Sequence, residues 1–269
     1  MIHRARTLRT LTVTIVLASL LSSLGCNEVA SKAEATPMPW KDPSYATDIR
    51  ASRAETRPVD KWTLWTHHHE NRNRWVTEKD VDLLMIGDSI VFQWSRKGKK
   101  VWDEFYGERN AVNIGSSGDR TYHMLWHIQN GGLDGMKDHN PKLVVMMIGT
   151  NNRGEPEKHG EDTAYGILAL LKEVHARLPE SKILLMPIFP RGDTPEDKGR
   201  VRNDEINKII RGYVDGETVH WLDISHVFLD EAGNMNRQLM PDGLHPNVEG
   251  YRAWGRAMEP TIKKFLGEE

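Results

Sequence analysis

Lys142 to Ile148 reads KLVVMMI, and Gly149-Thr150-Asn151-Asn152 follows it directly. After the lysine the run carries no polar side chain, so neither face can be turned to water. A short run of this kind predicts a strand buried on both faces, the condition of strands in a parallel sheet covered by helices. Further strands are predicted in both directions. Val81 to Ile86, Ala111 to Ile114, Ile183 to Pro187 and Thr218 to Leu222 predict four more strands. Helices are predicted over Ile90 to Tyr106, Thr121 to Asn130, Glu161 to Arg177 and Lys198 to Tyr213. Asn247 to Leu266 closes the chain as an amphipathic helix, with Pro246 near its first turn. Asp60 to Lys79 precedes the first strand as a further helix, with Trp62, Trp65, Trp75 and Val76 spaced to fall roughly on one side. Parallel neighbours require crossover connections, so this alternation specifies one α/β domain, a parallel sheet sandwiched by helices.

The N-terminus has a different character. Arg4, Arg6 and Arg9 precede an unbroken run of apolar and small residues from Leu11 to Leu24. That layout predicts a secretory signal, and the run is short for a bilayer span, which takes about 20 residues. Cys26 is the sole cysteine, so no intrachain disulfide can form. It follows Ser23-Leu24-Gly25, which resembles the lipobox of bacterial lipoproteins, although Leu24 stands one position late. We expect residues 1–26 to be an export signal with Cys26 as lipid anchor; simple cleavage nearby is the alternative. Membrane association is expected only through that anchor, and the location is the cell envelope or outside the cell. Residues 27–58 are polar and Ala-rich, with Pro37, Pro39, Pro43 and Pro58, and read as a tether to a domain at 59–269.

The bulk composition excludes some functions. In the 269 residues, 36 basic and 38 acidic side chains leave a net charge of -2, which gives no basic face for nucleic acid. Twelve histidines are scattered without metal-ligand spacing. His67-His68-His69 lies in a predicted helix, where consecutive side chains diverge and cannot converge on one ion.

The polar, glycine-containing segments fall at strand ends, where an open parallel sheet binds its ligands. Gly87-Asp88-Ser89 ends the first strand, and Asn113-Ile114-Gly115-Ser116-Ser117-Gly118-Asp119 spans the second. Gly149-Thr150-Asn151-Asn152 follows the third strand, and Asp242-Gly243-Leu244-His245-Pro246 lies beyond the last. A serine hydroxyl needs a base within hydrogen-bond reach, and that base needs an orienting group. Ser89 is the candidate nucleophile, His245 the base and Asp242 the group holding the imidazole tautomer. The Ser89 and Gly118 N–H groups and the Asn151 amide are suitable oxyanion donors, since each donates without bringing a charge. Asp119 and Asp223 are the other strand-end acids that could partner the histidine. Trp94 and Arg191 could line the pocket, with core packing and a surface salt contact as the plainer readings.

These blocks, LLMIGDSI, NIGSSGD, GTNN and DGLHP, resemble the SGNH/GDSL hydrolases from about Val81 to Phe265. NIGSSGDRTYHMLWHIQNG, PKLVVMMIGTNNRG and PIFPRG look most like its platelet-activating-factor acetylhydrolase alpha-subunit type. The resemblance implies a flavodoxin-like three-layer α/β/α sandwich and ester hydrolysis through an acyl-serine, without metal or cofactor. It assigns the second block's hydrogen bond to Gly118 rather than Gly115. Ser116-Ser117 departs from the apolar residue and glycine that such relatives tend to carry, so lipid specificity is not carried over. An exported member would meet acetylated carbohydrate more readily than ether lipid; a small ester or acetylated glycan is the expected partner, and short acyl chains the preferred substrates. Two other classes compete. Nucleotide binding at Gly115-Ser116-Ser117-Gly118 lacks both G-x-G-x-x-G and G-K-[ST], and a non-catalytic module on the same fold would lack a reactive serine.

Overall fold

Leu83 pairs with Leu143 and Gly87 with Met147, so the first and third strands run parallel along their whole length. In this computed structural model, residues 39, 41, 49–58, 62–78, 80–136, 139–152 and 159–269 are described. The strands are β1 (Leu83–Gly87), β2 (Ala111–Asn113), β3 (Leu143–Met147), β4 (Lys182–Leu185) and β5 (Val219–Trp221). Their order is β2-β1-β3-β4-β5, with every pair parallel. This is the flavodoxin-like order, in which the chain reverses direction between β1 and β3 and opens a crevice at their carboxyl ends.

The helices are α1 (Trp62–Thr77), α2 (Ser89–Phe92), α3 (Lys99–Tyr106), α4 (Thr121–His127), α5 (His159–Arg177), α6 (Lys198–Ile210) and α7 (Val248–Leu266). Strand side chains alternate between the two faces. Leu84, Ile86, Val144 and Met146 pack with Met124 of α4, Leu168 of α5 and Ile206 of α6. Leu83, Met85, Val145 and Met147 pack on the other face with Trp94, Tyr106, Tyr251 and Trp254. All are buried, and each such aliphatic side chain contributes about 1.5–3 kcal/mol of apolar burial. The three-layer sandwich expected from the alternation is the fold observed.

Three details differ from the sequence reading. Ile90 to Tyr106 is not one helix: α2 passes into a 3-10 turn over Gln93–Ser95, and Arg96 leaves the helical region at φ −127°, ψ −94° before α3 begins. The turn seats the Trp94 ring 4.7 Å from that of Tyr251 and 5.2 Å from that of Trp254. In α1, Trp65 and Val76 are buried while Trp75 is exposed. Val76 lies about three full turns beyond Trp65, and Trp75 falls one residue short of that.

The third difference concerns the tether. Residues 49–58, which composition places in it, are held on the domain. Thr121 Oγ1 donates to the Ala51 carbonyl at 2.7 Å, the Glu55 N–H donates to the Tyr122 carbonyl at 3.1 Å, and Ala51 and Ser52 are buried. Irregular backbone tied down by main-chain bonds leaves no periodic signal in the sequence. The expected export signal, Cys26 and tether residues 27–38 lie outside the described residues. No helix among the described residues is long and apolar enough to cross a membrane.

Candidate active site

β1 stops at Gly87 for a steric reason. A Cβ there would lie 2.3 Å from Val91 Cγ2 and 2.4 Å from the Met147 carbonyl oxygen. The missing side chain lets β1 turn directly into α2 against the neighbouring strand. Asp88 caps that helix, its Oδ1 accepting from the Ile90 N–H at 3.0 Å. Burial pushes the Asp88 carboxyl up to about 7, against the Ile90 and Gly149 N–H groups that favour its charged form. Ser89 is thereby the first residue of α2, at the carboxyl edge of the sheet.

The loop after β5 arrives at the same place. Asp242 Oδ1 accepts the N–H groups of Leu244 (3.0 Å) and His245 (2.7 Å), folding 242–245 into a tight turn. Its other oxygen, Oδ2, lies 2.7 Å from His245 Nδ1. His245 Nε2 in turn lies 2.9 Å from Ser89 Oγ. Ser89 is 7% exposed and the His245 side chain 21%, so the chain of groups opens to solvent. Burial raises the Asp242 carboxyl, but bonds from the His245 and Leu244 N–H groups and the His245 ring outweigh it and hold it at about 2. An ionised carboxylate on Nδ1 selects the tautomer with Nε2 free to accept.

Neither alternative acid meets His245. Asp223 Oδ1 accepts from the Ser225 N–H at 2.8 Å. Asp119 is fully buried; its Oδ1 accepts from Arg57 Nη2 (2.7 Å), Arg57 Nε (3.1 Å) and Trp65 Nε1 (3.0 Å). Its Oδ2 lies 3.1 Å from His127 Nε2.

The second and third blocks frame the crevice. The Gly115 N–H donates to Asn113 Oδ1 at 2.8 Å and the Ser116 N–H to the Gly87 carbonyl at 3.0 Å. The first bond closes block two on itself and the second ties it to block one, so neither N–H is free to cradle a phosphate. Gly118 adopts φ +74°, which favours glycine. Among the described residues neither the Ser89 N–H nor the Gly118 N–H has a protein acceptor. Asn151 Nδ2 donates to the Asp119 backbone carbonyl at 3.0 Å. Asn152 is buried, bonding through Oδ1 to the Thr121 N–H (2.9 Å) and through Nδ2 to Thr121 Oγ1 (2.7 Å), which fixes block three against α4.

Other singled-out residues fall elsewhere. Trp94 is fully buried and belongs to the core, not the crevice. Arg191 donates to the Thr150 carbonyl at 3.1 Å, a bond to the third block rather than a surface salt contact. His67 is exposed and His69 buried, the latter lying 2.9 Å from the Asn130 carbonyl and from His127 Nδ1. Among the described residues no group of His, Cys, Asp and Glu is placed to hold a metal ion. A separate cleft of about 420 Å³ at the β2 edge, bordered by Trp75, Lys99 and Trp102, is lined by none of Ser89, Gly118, Asn151, Asp242 and His245.

The profile of the GDSL-like lipase/acylhydrolase family matches residues 85–253. Human platelet-activating factor acetylhydrolase IB subunit alpha1 is 31% identical over 193 residues, 71% of this chain and 80% of its own. The rat alpha2 subunit is 32% identical over 208 residues, 76% and 86% of the two chains. Among solved structures, a GDSL-like lipase from Bacteroides thetaiotaomicron superposes with a TM-score of 0.57 at 20% identity, over 73% of this chain and 98% of that one. An acetylxylan esterase from Geobacillus stearothermophilus does so with a TM-score of 0.52 at 20% identity, over 71% and 97%. The strand order and the family match agree, and the chain belongs to the GDSL-like lipase/acylhydrolase family and is an ester hydrolase.

Proposed function

We propose that the protein is a serine esterase that removes short acyl groups, acetyl foremost, from an acetylated carbohydrate through an acyl-serine intermediate. The observation that carries the reading is the continuous line of contacts from Ser89 Oγ to His245 Nε2 at 2.9 Å and from His245 Nδ1 to Asp242 Oδ2 at 2.7 Å. His245 takes the Ser89 proton as Oγ attacks the ester carbonyl carbon, and Asp242 stabilises the imidazolium that forms. The carbonyl oxygen becomes an oxyanion, received by the Ser89 and Gly118 N–H groups and by the second amide hydrogen of Asn151, whose first is spent on Asp119. His245 then returns its proton to the leaving alcohol. Water, deprotonated by the same imidazole, releases the acid and restores Ser89. No cofactor enters these steps.

The carbohydrate assignment rests on the expected export of the chain. A lipid acetylhydrolase is the second reading, favoured by the 31–32% identity to the acetylhydrolase subunits. A panel of p-nitrophenyl esters from acetyl upward, run beside acetylated xylan, acetylated mannan and an acetylated ether lipid, separates them. Acetyl release from the glycans with Ser89→Ala inactive is the expected result. Release from the lipid alone would replace the substrate, and turnover by Ser89→Ala within about tenfold of wild type would falsify the mechanism.

A further inference from the structure

Arg57 belongs to the segment ahead of α1, outside the sheet and its crossovers, yet it reaches the second block. Its Nη2 donates to the Ser117 carbonyl oxygen in a short bond, and to Asp119 Oδ1 at 2.7 Å, while Nε donates to the same carboxylate oxygen at 3.1 Å. The guanidinium lies against Gly118: a Cβ on that residue would meet Nη2 at 3.1 Å. The Ser117 carbonyl and the Gly118 N–H are two ends of one peptide group. In a planar trans peptide they point in opposite directions, and no peptide in the described residues is cis. Whatever fixes the carbonyl therefore fixes the N–H.

We infer that Arg57 is a positioning residue for the oxyanion site, holding the Ser117–Gly118 peptide so that the Gly118 N–H faces the reacting ester. The inference rests on the serine-esterase reading above. Two effects work together. The planar fork of the guanidinium spans Asp119 and the Ser117 carbonyl at once, setting the orientation of the peptide plane. Donation from a cation to the carbonyl also polarises the peptide and makes its N–H a stronger donor, since linked hydrogen bonds strengthen one another. Asp119 carries the arrangement further, because its own backbone carbonyl holds the Asn151 amide at 3.0 Å. Burial pushes the His127 imidazole down to about 4, so it meets Asp119 uncharged and Arg57 supplies the compensating charge. One ion pair thus ties both donors of the second and third blocks to the segment ahead of the domain.

The test uses the full chain with p-nitrophenyl acetate, every rate being divided by the number of sites a fluorophosphonate titrates, so that misfolded protein drops out. Charge develops on the oxygen only in the transition state, so loss of donor alignment lowers kcat and spares KM. Removing an oxyanion donor outright costs about 10²–10³ in kcat, and Arg57 acts one bond away, so Arg57→Ala should lose about 10–100-fold with KM within about twofold. Arg57→Lys keeps a charge beside Asp119 but not the fork, and should recover part of the loss. Arg57→Ala at wild-type kcat, or with KM raised and kcat unchanged, would overturn the inference. Should Arg57→Ala fail to accumulate folded, Arg57→Lys decides: at least about a threefold lower kcat supports the inference, and an unchanged kcat overturns it. Failure of the underlying reading looks different, because Ser89→Ala would then still turn over.

Discussion

Asp242→Asn separates the charge of the carboxylate from its geometry. The Asn oxygen can keep the N–H bonds from Leu244 and His245 that Asp242 Oδ1 now accepts at 3.0 and 2.7 Å, so the turn should survive. What changes lies 2.7 Å from His245 Nδ1, where an amide NH2 replaces the oxygen Oδ2. Two donors cannot share a hydrogen bond, so the imidazole moves its proton to Nε2, the atom that must accept from Ser89. The imidazolium of the transition state also loses its counter-charge. At this separation and an effective dielectric of about 40, the attraction is about 2–3 kcal/mol. The Asp242 side chain is 53% exposed, and solvent screening brings that to about 1.5 kcal/mol. Losing the charge-assisted bond that selects the tautomer adds about 2–3 kcal/mol. Each 1.36 kcal/mol is tenfold in rate, so kcat should fall about a thousandfold. The assay is a pH–rate profile of both proteins on p-nitrophenyl acetate. Asp242 is ionised at any pH well above about 2, so its charge is present throughout the working range and the fall in kcat should be too. An undiminished plateau would refute the assignment of Asp242.

Gly87→Ala should destabilise the fold by about 3 kcal/mol, the upper part of the overpacking range, because the added methyl meets the Met147 carbonyl as well as Cβ and Cγ2 of the stiff, buried Val91; thermal melting reads it, and an unchanged midpoint would contradict the close approach. Dialysis against EDTA should leave turnover unchanged, since the proposed steps use only Ser89, His245, Asp242 and neutral donors; activity lost and then restored by Zn²⁺ would show that a ligand set had been missed. Mature protein from a native-like host should begin at Cys26 carrying lipid and partition into detergent. A soluble product with another N-terminus would reject the lipid but keep export, and an intact Met1 in the cytoplasm would reject both.

The sheet was legible because its strands are buried on both faces, so KLVVMMI and LLMIG read as apolar runs without a competing period. The Ser89–His245–Asp242 line was legible because each member sits in a short block at a strand end, and the fold's topology alone brings such ends together. The environment of Asp119 was not. Its partners are Arg57 and Trp65, more than 50 residues upstream on an irregular segment and on α1, and His127 on α4, and no local pattern encodes such a meeting. For Trp94 the sequence left two readings, pocket wall and core packing; the break after α2 decides for the second, turning the ring into the core beside Tyr251 and Trp254. For Arg57, one of several charged residues in the stretch ahead of α1, nothing in the sequence names its partner.

The most direct test of the central claim is to find the covalent adduct of a fluorophosphonate probe by peptide mass spectrometry. The probe reports a serine activated by a neighbouring base and placed beside oxyanion donors. The account predicts one adduct, on the peptide containing Gly87-Asp88-Ser89, abolished in Ser89→Ala and slowed greatly in His245→Ala. An active enzyme that gives no adduct, or one labelled at another residue with Ser89 unmodified, would contradict it.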